Sequence, residues 1–131
     1  MISTKGRYAL RVMLDLAEQD REDFVPLKDV ADRQMISKKY LEIIVKDLVK
    51  ARLLLASSGK GGGYKLSRPA SEITVGEILE VSEGPFLTVA CLAEDATACP
   101  RAAACKTLPL WAEYDKMTKD FFYSKKLGDL L

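Results

Sequence analysis

Apolar positions recur at helical spacing in five stretches of the chain, and one stretch, Leu53 to Leu66, breaks that period. In residues 4–19, Ala9, Leu10, Val12, Met13, Leu16 and Ala17 cover more than one face, which predicts a largely buried first helix capped by Ser3 or Thr4. Pro26 suits only a first helical turn, so a second helix is expected over Leu27–Gln34, with Leu27, Val30 and Ala31 inward. Met35 and Ile36 leave room only for a tight junction before Ser37, whose hydroxyl can cap a third helix. There Leu41, Ile44, Val45 and Leu48 share one face, and Lys38, Lys39, Glu42 and Lys46 lie mostly on the other. Thr74 caps a fourth helix, about Val75–Ser82, that Gly84-Pro85 ends. The last helix, roughly Thr107–Tyr123, carries Leu110, Tyr114, Met117 and Phe121 as one stripe, with Trp111, Thr118 and Phe122 alongside. Leu127–Leu131 is expected to be a short terminal turn.

Between the third and fourth helices the period changes. Leu53–Ala56 and Tyr64–Leu66 are short apolar runs, and Ser57 to Gly63 between them is turn-forming, which predicts a β-hairpin. Two short helices joined by so few residues must cross steeply, and Ala31 is small enough to allow it. The fold class expected is therefore mostly α with a small β-hairpin: a winged helix-turn-helix plus a long C-terminal helix. In such a unit the third helix enters a DNA major groove. Ser37, Lys38, Lys39, Tyr40 and Glu42 are then the DNA-facing candidates, lysines for phosphates or guanine edges and Glu42 for a cytosine amino group. Tyr40 is equally suited to the core. Lys60, at the hairpin tip, can reach a phosphate or the minor groove. A nucleotide-binding P-loop does not fit, because Gly, and not Ser or Thr, follows Lys60. Lys5 and Arg7 sit in the first turn of the first helix, where cations oppose the helix dipole; either a phosphate approaches there or they are ordinary surface charges.

Composition narrows the class. With 131 residues, 48% apolar and 30% charged, the chain can build one real core. No apolar run nears the roughly 20 residues of a membrane span, and the N-terminus lacks a secretory pattern, so no membrane partner and a cytoplasmic location are expected. The net charge of +1 hides an asymmetry: residues 1–70 hold 14 Lys/Arg against 9 Asp/Glu, and residues 71–131 hold 6 against 10. A basic first half suits a polyanion. There is no histidine and no paired-carboxylate motif to place in a cleft, so no catalytic residue is assigned and an enzyme is not expected. The organisation expected is a DNA-binding unit over 1–84, a cysteine-containing loop over 85–106, and a dimerisation helix with its terminal turn over 107–131. The aromatic stripe of that helix exceeds what a small winged unit can cover, so a second copy is expected on it, unless it folds back on its own chain.

Cys91, Cys99 and Cys105 are spaced C-x7-C-x5-C in a stretch rich in small residues. An odd count argues against a disulfide framework. Three thiols suit a soft metal or an iron–sulfur cluster, 2Fe-2S or 4Fe-4S; the alternatives are free thiols that happen to cluster, or a redox pair. The spacing is unusual for structural zinc.

TKGRYAL, ISKKYLE, SGKGGGYKLSRPASEITVGEILEVSEGP and the three-cysteine loop before LW together resemble the Rrf-type bacterial transcription regulators, across nearly the whole chain. The resemblance implies a homodimer that binds a double-stranded DNA operator. Recognition-helix contacts would fall on Ser37, Lys39, Tyr40 and Glu42, wing contacts on Ser58 and Lys60, and cluster ligands on Cys91, Cys99 and Cys105. Ser58 stands where the iron–sulfur branch has an arginine, the Cys91–Cys99 gap is two residues longer than that branch's usual one, and two ligand positions differ. The histidine that supplies a fourth ligand in the iron–sulfur branch is replaced by Leu108, and the aspartate used by the nitric-oxide branch aligns with Arg7. A cluster would need Glu94, Asp95, another carboxylate, a backbone group or a small thiol. The function expected is a regulator whose operator affinity follows the cluster or thiol state; the alternatives are a small-molecule sensor of the cysteine-metabolism type without a cluster, and an iron–sulfur carrier.

Overall fold

Among the residues that the computed structural model describes, 2–20, 22–93 and 100–131, five α-helices surround one antiparallel hairpin. The order is α1 (Thr4–Ala17), α2 (Leu27–Gln34), α3 (Lys38–Lys50), β1 (Leu54–Ser57), β2 (Gly63–Leu66), α4 (Val75–Glu83) and α5 (Leu108–Ser124). Short 3-10 turns lie at Ala70–Glu72, Ala90–Leu92, Ala102–Ala104 and Leu127–Leu130. The fold class is the one the hydrophobic pattern predicts.

Caps fix where the helices begin. The Ser3 hydroxyl accepts from Gly6 N, and that of Ser37 accepts from Tyr40 N, each at 3.1 Å. Thr74 and Glu77 form a reciprocal capping box at the start of α4. α1 stops at Ala17, two residues before the expected end, because only polar residues, Glu18 to Asp20, follow Ala17, which packs against the core.

The core gathers Ala9, Val12, Met13 and Leu16 of α1, Val30 of α2, the four inward residues of α3, and Ile78 of α4. Leu54 and Leu66, directly paired across the hairpin, close it from below. Each fully buried Leu or Ile contributes about 1.5–3 kcal/mol relative to exposure. Among the described residues, one charged group is buried with them. The Asp15 carboxylate on α1, only 3% exposed, accepts from Arg33 Nη2 at 2.8 Å, Arg33 Nε at 3.0 Å and Gln34 Nε2 at 2.9 Å. A buried carboxylate needs such donors. Here they come from the last turn of α2, so the network fastens the end of α2 to α1.

The far end of the chain returns to this body. Leu127, expected in a terminal turn, is in such a turn but fully buried in the core. Val75 N donates to Lys125 O at 2.9 Å and Leu127 N to Ile73 O at 2.8 Å. α5 packs on α4 where Gly76 faces the Tyr123 ring; a Cβ there would collide with the ring carbons. The rest of α5 stands clear: none of its residues is buried, and Leu110, Tyr114, Met117 and Phe121 are all exposed. Phe86 stacks on Phe122 with ring centroids 5.3 Å apart. Thr88 donates from its backbone N at 2.9 Å and from its hydroxyl to Asp115 on α5. These two contacts lead the 85–88 segment along the helix toward Cys91.

Candidate nucleic-acid interface

Local sequence dictates the steep turn between α2 and α3. α2 ends on Met35 in the left-handed region (φ 56°, ψ 44°), and Ile36 N bonds back to Ala31 O at 3.2 Å. Ile36 is buried, which pins the turn, and Ser37 then starts α3. Because Leu41, Ile44, Val45 and Leu48 all face the core, α3 must present its other side outward. That side carries Lys38, Lys39, Glu42, Ile43 and Lys46, all exposed, with Ser37 at its head. Among the described residues, none of these charged side chains makes an ion pair. Three cations and one acceptor are thus exposed with no ion pair among the described residues.

Two candidates have internal contacts. Tyr40 is half-buried, edge-on to Tyr8 with centroids 5.7 Å apart, so the core takes its ring. Lys5 Nζ is held by Asp47 Oδ2 at 2.8 Å, an ion pair between α1 and α3. Asp47 thereby answers the charge conflict that two cations create in the first turn of α1. Arg7 Nη2 donates to Thr4 Oγ1 at 3.1 Å.

The hairpin tip is built on glycines. Gly59 and Gly61 have φ near +80°, and Ser58 and Lys60 between and beside them are exposed. Gly63 lies against Val25, so closely that a Cβ would strike the Val25 carbonyl. The contact belongs to a bridge in which Val25 N donates to Tyr64 O at 2.8 Å and Tyr64 N to Val25 O at 2.9 Å. Since Pro26 opens α2 immediately afterwards, this bridge sets the hairpin relative to the α2–α3 pair. Lys65 lies over the Phe24 ring at 4.6 Å.

Of the cysteines, Cys91 is an exposed free thiol in the Ala90–Leu92 turn, and Cys105 is a half-buried free thiol just before α5. Cys105 Sγ is 3.4 Å from Thr107 Oγ1. That hydroxyl, then the backbone amides of Thr107 and Leu108, hold its thiol below the ordinary value of 9.0. Cys99, Glu94 and Asp95 lie outside the described residues. Among the described residues, no three His, Cys, Asp or Glu side chains are gathered as a metal would need. No helix among them is long and apolar enough to cross a membrane.

The arrangement has known counterparts. The family model described as Rrf2, iron-dependent transcriptional regulator, matches residues 2–131. The chain belongs to the Rrf2 family. Similar proteins include protein rrf2 of Nitratidesulfovibrio vulgaris, 37% identical over 99% of this chain and 86% of that protein. The transcriptional regulator IscR of Vibrio campbellii is 34% identical over 99% of this chain and 76% of its own length. Among solved structures, CymR, the global cysteine regulator of B. subtilis, superposes with a TM-score of 0.77 at 36% identity, over 99% of this chain and 95% of that one. This Rrf2-family member is accordingly a transcriptional regulator, as its relatives are.

Proposed function

We propose that this Rrf2-family regulator binds an operator duplex as a homodimer, each copy laying α3 into a major groove with the wing beside it. The supporting observation is the outward face of α3: Lys38, Lys39 and Lys46 unpaired around Glu42, on a helix whose turn and wing are both fixed from behind. Ser37 would donate at the helix head, Lys39 would meet a phosphate or guanine edge, and Glu42 would accept from a cytosine amino group. Ser58 and Lys60 would meet the backbone or minor groove. Lys5 would contribute indirectly, by holding Asp47, or through a phosphate once that pair opens. Residues 1–84 would be the reading unit, 85–106 the sensing loop and 107–131 the dimerising helix.

Cys91, Cys99 and Cys105 are the residues that would hold an iron–sulfur cluster, whose iron prefers thiolates. Their chemistry fits. The lowered thiol of Cys105 favours the ligating form, and its place beside the first turn of α5 connects the loop to the dimer helix. When bound, such a group would supply a redox- or loss-sensitive link across the loop. The same thiol also favours the second reading, a thiol or small-molecule sensor with no cluster, because a lowered thiol is the reactive one. IscR-like relatives speak for the first reading and the cysteine regulator CymR for the second.

Binding of the full chain to its own upstream DNA tests the core of the proposal. Lys39→Ala with Glu42→Ala should weaken specific binding about thirtyfold or more; an undiminished footprint would refute it. An absorbance spectrum of anaerobically purified protein separates the two sensing readings: a coloured, iron-bearing protein supports the cluster, a colourless one that still responds to thiol oxidation supports the second.

A further inference from the structure

Ile43 is the one outward residue of α3 that the charge pattern does not explain. It is 54% exposed, on a helix whose other aliphatic residues, apart from half-buried Val49, are buried. By position it shares the outward face with Lys39, four residues before it, Glu42 beside it, and Lys46, three residues after it. A β-branched aliphatic side chain there gains nothing from water and does not help the helix form. It is also fixed in place, because Ile44 and Val45, its immediate successors, are each 1% exposed and anchor that turn.

The major groove offers one protruding apolar group, the thymine C5-methyl; cytosine has only a C5–H at that position, and the remaining base-edge groups are donors or acceptors. Resting on the proposed DNA-reading role of α3, we infer that Ile43 is a specificity residue that covers a thymine methyl in each half-site. Glu42 and Ile43 then read together: the carboxylate demands a cytosine amino group, and the aliphatic side chain prefers a neighbouring thymine. Uracil, which pairs like thymine but lacks the methyl, is the discriminating probe.

The test uses the full chain and a duplex that it selects from a random-sequence pool. Each thymine of the selected site is replaced in turn by deoxyuridine, and affinity is measured for the wild type and for Ile43→Ala. At one position per half-site, uracil should weaken wild-type binding about fourfold, the worth of one buried methyl. Ile43→Ala should bind thymine and uracil duplexes equally at that position, while keeping its sensitivity to changes at the base read by Glu42. A selected site without thymine opposite α3, or a uracil effect that persists unchanged in Ile43→Ala, overturns the inference while leaving DNA reading intact. Selection that yields no preferred duplex overturns the DNA-reading role first and this inference with it.

Discussion

The Asp15 carboxylate illustrates how a single residue supports the candidate interface without touching it. It lies in the core, and its three donors all come from Arg33 and Gln34, the two residues before the Met35 turn. Removing the guanidinium leaves a buried carboxylate with the Gln34 amide alone. Arg33→Ala should therefore destabilise the fold by about 1–3 kcal/mol, measurable by urea unfolding. The guanidinium is itself 41% exposed, which keeps the loss below that of a fully buried pair. If the urea midpoint does not move, the network is not what holds the turn. Nothing in the sequence marked Asp15. An acidic residue in an amphipathic helix is ordinarily solvated, and its burial depends on which way α2 crosses α1. Ile43 escaped for the opposite reason: beside Ile44 and Val45 it looks like part of the core stripe.

At the scale of elements, legibility followed local chemistry. α2 has the expected bounds because Pro26 fixes its start and its stripe ends at Ala31. The caps Ser37 and Thr74 were readable because capping acts over three residues, and of the two expected choices, Ser3 and Thr4, it is Ser3 that caps α1. β1 begins one residue later than expected, at Leu54, since Arg52 turns left-handed (φ 63°) and Leu53 is spent on packing. Contacts between distant segments were not legible: the Val25–Tyr64 bridge, the Lys5–Asp47 pair and the seating of Leu127 all require the fold first. The α4–α5 junction yields a prediction of this kind. Gly76→Ala places a methyl where the Tyr123 ring lies, and helix propensity alone would make it favourable by up to about 1 kcal/mol. Overpacking should win, with a net destabilisation of about 1–2 kcal/mol in thermal unfolding. Pairing it with Tyr123→Leu should recover part of the loss; without recovery, the ring is not the obstacle.

For the whole molecule, the exposed aromatic stripe of α5 is the surface that its own chain does not cover. Tyr114, Met117 and Phe121 are 57%, 64% and 55% exposed on one stripe, flanking a groove of about 690 Å³ between α5 and the 85–88 segment. An apolar surface of this kind marks an interface, and the proposed occupant is the same helix of a second copy. Sedimentation should then give twice the 14.5 kDa chain mass, and Met117→Glu with Phe121→Glu should give the single mass. The variant should also lose most operator affinity, since two linked half-sites bind far better than one. A wild type that sediments at the single mass would exclude the dimer.

The clasp at Lys125–Leu127 bears on how any signal could travel. With Lys125 and Leu127, just beyond its end, hydrogen-bonded to Val75 and Ile73, and its Asp115 tied to Thr88 of the loop that follows α4, α5 is a lever fixed to the proposed reading unit, not a tether that can slacken. A rotation of one such lever against its twin would be delivered to the lysines as a change of angle and spacing between them. The operator would sense the geometry of the pair, while each unit kept its internal shape.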